Sequence, residues 1–216
     1  MRKPSIRLSV ALFIFLLGVG LTGGWLVNCT RVQEPRVIIP NENWVPIFFE
    51  ATGAASKSIN EVTKEANLPR LRTIVLPNDD LEIRVWIGFG LRGVDGLVLR
   101  RSSNQWSAIH LHGMAERPPF PNSQQKLDAP KSGWEIMWQR LTNAGILTLP
   151  DAASLQCDPG GKDGTSYVVE INMNRIYRTY MYHDPDYANC DEAKRMMRIG
   201  EIIGEEFGLE EFRIGH

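Results

Sequence analysis

The sequence predicts an α+β fold: an antiparallel sheet of about five to seven strands with two main helices packed on one face, preceded by an N-terminal transmembrane or signal helix. Three patterns predict it. From Leu81 to Phe89, the apolar residues Leu81, Ile83, Val85, Ile87 and Phe89 alternate with Glu82, Arg84, Trp86 and Gly88. That is the period of a strand with one face on a core. Two later stretches, after Ser132 and near Asn189, space their apolar residues three and four apart, as amphipathic helices do. Finally, Leu8 to Val27 is a run of twenty residues without a charge, directly behind Arg2, Lys3 and Arg7.

The uncharged run comes first in the chain. A helix of about 20 apolar residues spans the hydrocarbon core of a bilayer. The basic flank should stay in the cytoplasm while the rest is exported. The segment can be retained as an anchor, or cleaved near Thr22-Gly23-Gly24. A third fate is lipidation of Cys29 after Leu26-Val27-Asn28, although Asn28 stands where a small residue is usual. The expected organisation is a signal or anchor at 1–29, a linker at 30–57 and a single domain at 58–216. The domain would then be anchored at the inner membrane facing outward, or be periplasmic after cleavage.

Within the linker, Pro35, Pro40 and Pro46 break any period, and Trp44, Ile47, Phe48 and Phe49 are expected to tuck into the domain edge. Ser58 and Glu61 have capping-box spacing, which starts a helix with Ile59, Val62 and Ala66 on one face and Pro69 beyond. Leu71 to Leu76 reads as a strand ended by Pro77. After the Leu81–Phe89 strand come a turn at Asp95-Gly96, a strand at Val98–Arg101, a turn at Ser102–Gln105 and a strand at Trp106–His112. Short turns between consecutive strands make a meander.

Residues 117–130 hold four prolines and read as a loop. Ser132 and Glu135 repeat the capping-box spacing, Trp134, Met137, Trp138 and Leu141 share a helical face, and Gly145 is placed to end the helix. Ile146–Leu149 reads as a short strand, and 158–164 as a loop. Thr165–Ile171 and Arg175–Tyr182 read as a hairpin over Asn172-Met173-Asn174. The last helix runs from Asn189 to Phe207, with Gly200 and Gly204 allowing close packing and Gly208 just beyond it.

Composition narrows the function. The chain has 216 residues, with 24 Lys and Arg against 25 Asp and Glu. Its first 29 residues hold three basic side chains and no acidic one, so the remainder carries a net charge of −4. Such a domain is not built to follow a nucleic-acid backbone. Apart from Cys29 there are only Cys157 and Cys190. In an oxidising compartment that pair is expected to be a disulfide, which by the chain-entropy argument stabilises by about 4 kcal/mol.

Four constellations bear on chemistry. His110 and His112, two apart on a strand, point to one face, and with Glu116 they spell His-x-His-x-x-x-Glu. Two imidazoles and a carboxylate suit a first-row metal. The same spacing opens the cupin metal motif. Asn104 and Ser123, however, replace its glycines, and no second half follows. Gly164-Thr165-Ser166-Tyr167-Val168 approximates a hydrolase elbow, but it leads into strand periodicity where that motif needs a helix. Gly160-Gly161-Lys162-Asp163 lacks the Ser or Thr of a phosphate loop. All five tyrosines (Tyr167, Tyr177, Tyr180, Tyr182 and Tyr187) fall within 21 residues. Tyr177, Arg178, Tyr180 and Tyr182 on the second hairpin strand are the residue types of a protein interface.

Trp134-Glu135-Ile136-Met137-Trp138, Gly145-Ile146-Leu147-Thr148-Leu149-Pro150-Asp151, Asp163-Gly164-Thr165-Ser166-Tyr167 and Tyr177-Arg178-Thr179-Tyr180 resemble the pattern of small exported bacterial proteins of unassigned function. The resemblance spans roughly Leu81 to Phe212. It implies a fold and an address and brings no catalytic residues. The functional expectation is a non-catalytic extracytoplasmic domain, without a cofactor, that binds another envelope component. The alternative is a metal-dependent enzyme using His110, His112 and Glu116.

Overall fold

The computed structural model of the protein describes residues 36–38, 44–50, 57–89, 93–113, 124–155 and 164–213. The apolar run at 8–27 lies outside them, as do Cys29, Glu116 and Cys157. Among the described residues no helix is long and apolar enough to cross a membrane. Glu34–His216 forms one compact unit. It holds strands β1 (Arg36–Ile38), β2 (Leu81–Gly88), β3 (Val94–Ser102), β4 (Gln105–Gly113), β5 (Gln124–Leu127), β6 (Ser166–Met173) and β7 (Ile176–His183). Its helices are α1 (Val45–Phe49), α2 (Ile59–Glu65), α3 (Trp134–Ala144) and α4 (Asp191–Phe207).

The seven strands make one sheet in the order β1-β7-β6-β2-β3-β4-β5. All pairings are antiparallel except β1 with β7, which is parallel. The fold is thus α+β with a mostly antiparallel sheet. Part of the segment expected as a linker supplies β1 and α1.

Alternation along β2 sorts its side chains between two cores. Leu81, Ile83, Val85 and Ile87 pack with Met137 and Leu141 of α3 and Met196, Ile199 and Ile203 of α4. Trp86 packs on the other side with Trp44, Phe48 and Phe49 around α1 and with Ile59 and Val62 of α2. The polar face of β2 is therefore covered as well. Glu82 and Arg84 are buried, and the Arg84 guanidinium donates from Nε to Glu82 Oε1 at 2.8 Å and from Nη2 to the Pro69 carbonyl at 2.9 Å. Glu170 stands opposite Arg84 in the register and accepts from Trp86 Nε1 at 2.8 Å and from the Tyr177 hydroxyl at 3.0 Å. Burial raises the Glu170 pKa, against the pull of Arg84 and these two donors.

Several local expectations hold. Ser58 and Glu61 form a reciprocal capping box, and Ile59, Val62 and Ala66 are buried behind it. α3 and α4 end at Gly145 and Gly208, both left-handed. Others are corrected. Leu71–Thr73 is a single 3₁₀ turn rather than a strand, and Asn172 Nδ2 donates to the carbonyls of Leu71 and Ile74 at 2.9 and 2.8 Å. Asp95 and Gly96 lie inside β3. The Trp86 ring crosses Gly96 so closely that a Cβ there would sit 2.4 Å from a ring carbon. The loop read at 117–130 contains β5.

Both two-residue hairpin turns, Ser103-Asn104 and Asn174-Arg175, have positive φ at each position, the type I′ geometry that matches strand twist. Ser132 and Glu135 do not cap α3, which starts after Gly133. Ser132 donates instead from its backbone N–H and hydroxyl to Glu206 of α4, each at 2.8 Å. Glu206 is buried and also accepts from Arg140. Burial would raise its pKa, but these donors outweigh burial and lower it. A buried carboxylate with three donors to gain takes the serine away from the local cap.

Candidate metal centre

β3 and β4 pair so that Asp95 faces His112 directly, while Leu97 faces His110. Asp95 and His110 are therefore diagonal neighbours on the same sheet face. Their ligand atoms and that of His112 all lie within 4.8 Å of one another. His112 Nδ1 contacts Asp95 Oδ1, and His110 Nε2 stands 3.5 Å from the same oxygen. Exposure is graded across the cluster: 12% for the Asp95 side chain, 13% for His110 and 43% for His112. One side of the site thus faces the core and the other faces solvent.

A fourth group arrives from the far end of the chain. Glu211 Oε1 is 2.8 Å from His110 Nε2. The ring of Phe212, wholly buried, meets His110 edge-on with centroids 6.5 Å apart. Burial would lower the His110 pKa, but hydrogen bonding and charge from Asp95 and Glu211 outweigh it and raise it from 6.5 to about 9. The bond to His110 lowers the Glu211 pKa in turn, against its own partial burial.

The donor types suit a metal, and the His110–Asp95 distance agrees with one, whereas His112 and Asp95 are in direct contact with each other. Four ligands at about 2.0–2.1 Å in a tetrahedron stand roughly 3.3 Å apart. The 3.5 Å between His110 and Asp95 is close to that edge. Two imidazoles with carboxylate oxygens suit Zn, Fe, Co or Ni better than Mg or Ca.

His110 and His112 come together as their spacing predicts, while Glu116 lies outside the described residues. Asp95 and Glu211 were not legible. Asp95 sat in a pair of residues that reads as a turn, and Glu211 lies about 100 residues along the chain from His112. Only the strand register and the return of the C-terminus bring them in.

The tyrosine surface is corrected. Tyr177, Tyr180 and Tyr182 are no more than 1% exposed. On the main-helix face, the Tyr180 hydroxyl donates to the Ile146 carbonyl at 2.8 Å and that of Tyr182 to the Pro150 carbonyl at 2.9 Å. Arg178 donates to the Leu147 and Leu149 carbonyls and lies over the Tyr180 ring. Asp151 completes the row by accepting from Trp44 Nε1 at 3.0 Å and from the Met181 N–H at 3.1 Å. The segment expected as a short strand at 146–149 is therefore held by side chains instead of a ladder. The Leu-Pro-Asp and Tyr-Arg-Thr-Tyr motifs are two halves of one structural clasp. Tyr180→Phe should cost about 1 kcal/mol in urea unfolding, the net value of one buried hydrogen bond.

Ser166 lies 2.8 Å from His183 Nδ1, and His183 Nε2 lies 3.4 Å from Asp184 Oδ2. The order of side chains suggests a nucleophile, but Ser166 is only 3% exposed and faces His183 as its register partner. Its hydroxyl is buried within β6 rather than raised on the strand-to-helix turn that a nucleophile of this kind needs. Cys190 is disulfide-bonded at the N-terminus of α4.

No protein-family model matches this chain, and no curated protein matches it in sequence.

Proposed function

We propose that this chain is a non-catalytic extracytoplasmic domain that binds a divalent first-row metal ion through Asp95, His110 and His112. The observation that carries the reading is the convergence of three ligand atoms within 4.8 Å on one sheet face. The address rests on the uncharged run at 8–27 and is supported by the disulfide at Cys190, a bond kept in oxidising compartments. Cys157 is its proposed partner.

Metal analysis and titration of purified protein test the proposal. The protein should take up one equivalent of Zn²⁺ or Co²⁺, and His110→Ala should lose it while keeping the native circular dichroism spectrum. Protein that stays metal-free in excess Zn²⁺, Co²⁺, Ni²⁺ and Fe²⁺ would overturn it.

A further inference from the structure

We propose that the groove between α3 and α4 is a second site, which binds a phosphate-bearing anion through Asn143, Lys194, Arg195 and Arg198. It shares no residue with the metal centre and stands or falls independently of it. Three observations carry the inference. First, the groove is lined by charge of one sign. Its volume is about 440 Å³, within the range of ligand pockets, and Arg140, Lys194, Arg195 and Arg198 meet there with Asn143 and no acid. The chain beyond residue 29 carries a net charge of −4, so four cations along one groove depart from the overall balance.

Second, Arg195 is fixed before any ligand arrives. Its Nε donates at 3.1 Å to the carbonyl of Ala144, the last residue of α3. A Cβ at Gly145 would stand 2.0 Å from Arg195 Nη2, so the glycine that ends α3 also lets the guanidinium lie across the helix end. Capping of α3 uses only the Nε bond. Among the described residues no hydrogen bond or ion pair engages the two terminal nitrogens. A guanidinium anchored at Nε presents those nitrogens as a rigid fork, the geometry that takes two oxygens of one phosphate.

Third, the acids around the groove hold its other α4 cations only loosely. Lys194 pairs with Asp191 at 3.3 Å, and Arg198 with Glu201 at 2.7 Å and Glu205 at 3.5 Å. All five side chains are at least 44% exposed, and exposed pairs of this kind are weak enough to yield to a phosphate. Arg198 follows Lys194 and Arg195 by four and three residues on α4, so the three share one side of the helix. Arg140 stays with Glu205 and the buried Glu206 and adds charge without contact. Donors thus come from both walls, the Asn143 amide on α3 and three cations on α4. That suits an anion with acceptor oxygens all round better than a carboxylate with two.

The test uses the full-length protein in a neutral detergent, titrated with sodium phosphate at fixed ionic strength and followed by calorimetry. Wild type should bind one equivalent of phosphate and show no matching heat with sodium chloride. Arg195→Gln should weaken binding at least about tenfold. Arg195→Lys, which keeps the charge without the fork, should recover only part of the loss. Lys194→Gln, at an exposed position, should also weaken binding and keeps the test decisive if Arg195→Gln fails to fold. Arg100→Gln, on β3 and 51% exposed, should change nothing. Phosphatidylglycerol added to the micelles separates two sources of the phosphate. Competition with inorganic phosphate that is lost in Arg195→Gln identifies a lipid headgroup, whereas phosphate binding indifferent to the lipid identifies a soluble phosphate compound. Wild type that takes up neither phosphate nor phosphatidylglycerol would overturn the proposal. So would unaltered affinity in Arg195→Gln and Lys194→Gln, or an equal loss in Arg100→Gln, which would report net charge alone.

Discussion

Arg84→Met should destabilise the fold by about 3–5 kcal/mol, the cost of leaving a buried carboxylate without its partner. Arg84 is 1% exposed and serves two carboxylates at once. It is hydrogen-bonded to Glu82 and faces Glu170 across the β2–β6 pairing. Methionine keeps most of the volume but none of the charge, so both acids remain in a low-dielectric core that already pushes Glu170 upward. The sign of the pH effect follows. A carboxylate with a raised folded pKa binds more protons in the native state than in the unfolded chain, so stability falls as pH rises through that pKa. The Arg84→Met deficit, read by urea unfolding, should therefore shrink in acid. Adding Glu82→Leu should recover part of the loss. A loss under 1 kcal/mol, as expected for the exposed Lys194–Asp191 pair, would mean that water reaches the network.

The same strand shows what was legible in the sequence and what was not. Alternation identified β2 because period two needs only neighbouring residues. It could not show that the Glu82 and Arg84 side is covered, since α1 is five residues long and lies within a proline-broken stretch with no period of its own. Glycine stops were readable at Gly145 and Gly208 because a left-handed residue is a local requirement. The Ser132–Glu135 spacing was a true local signal overridden by a carboxylate 74 residues away. Tyrosine clustering was visible as composition, yet whether Tyr180 met water or the 146–151 segment depended on tertiary packing. At the candidate metal centre, two histidines two apart on a strand could be seen to share a face. Their acidic partners could not, because Asp95 depends on register and Glu211 on two helical glycines that let the C-terminus return.

Affinity for the ion should rise about tenfold per pH unit until about pH 9 and then level off. Coordination uses the lone pair of His110 Nε2, and the two acids hold a proton there up to about pH 9 despite the opposing effect of burial. An ion must expel that proton, so between about pH 6 and pH 9 the gain accumulates to about a thousandfold. The metal-free fold runs the other way. His110 has a folded pKa above its unfolded value of 6.5, so its contribution is complete below 6.5 and is lost as pH rises through about 9. Glu211 bounds the acid side, since its lowered pKa gives stability that is present above 4.5 and fades as pH falls. The cluster should thus stabilise the metal-free protein most between about pH 4.5 and pH 6.5, by at most about 3 kcal/mol. Thermal unfolding with and without Zn²⁺ separates the two trends. The shift produced by the ion should be small near pH 6 and largest near pH 9. An ion affinity that stayed flat across this range would show that no proton leaves His110 on binding, and would place the ion away from its imidazole.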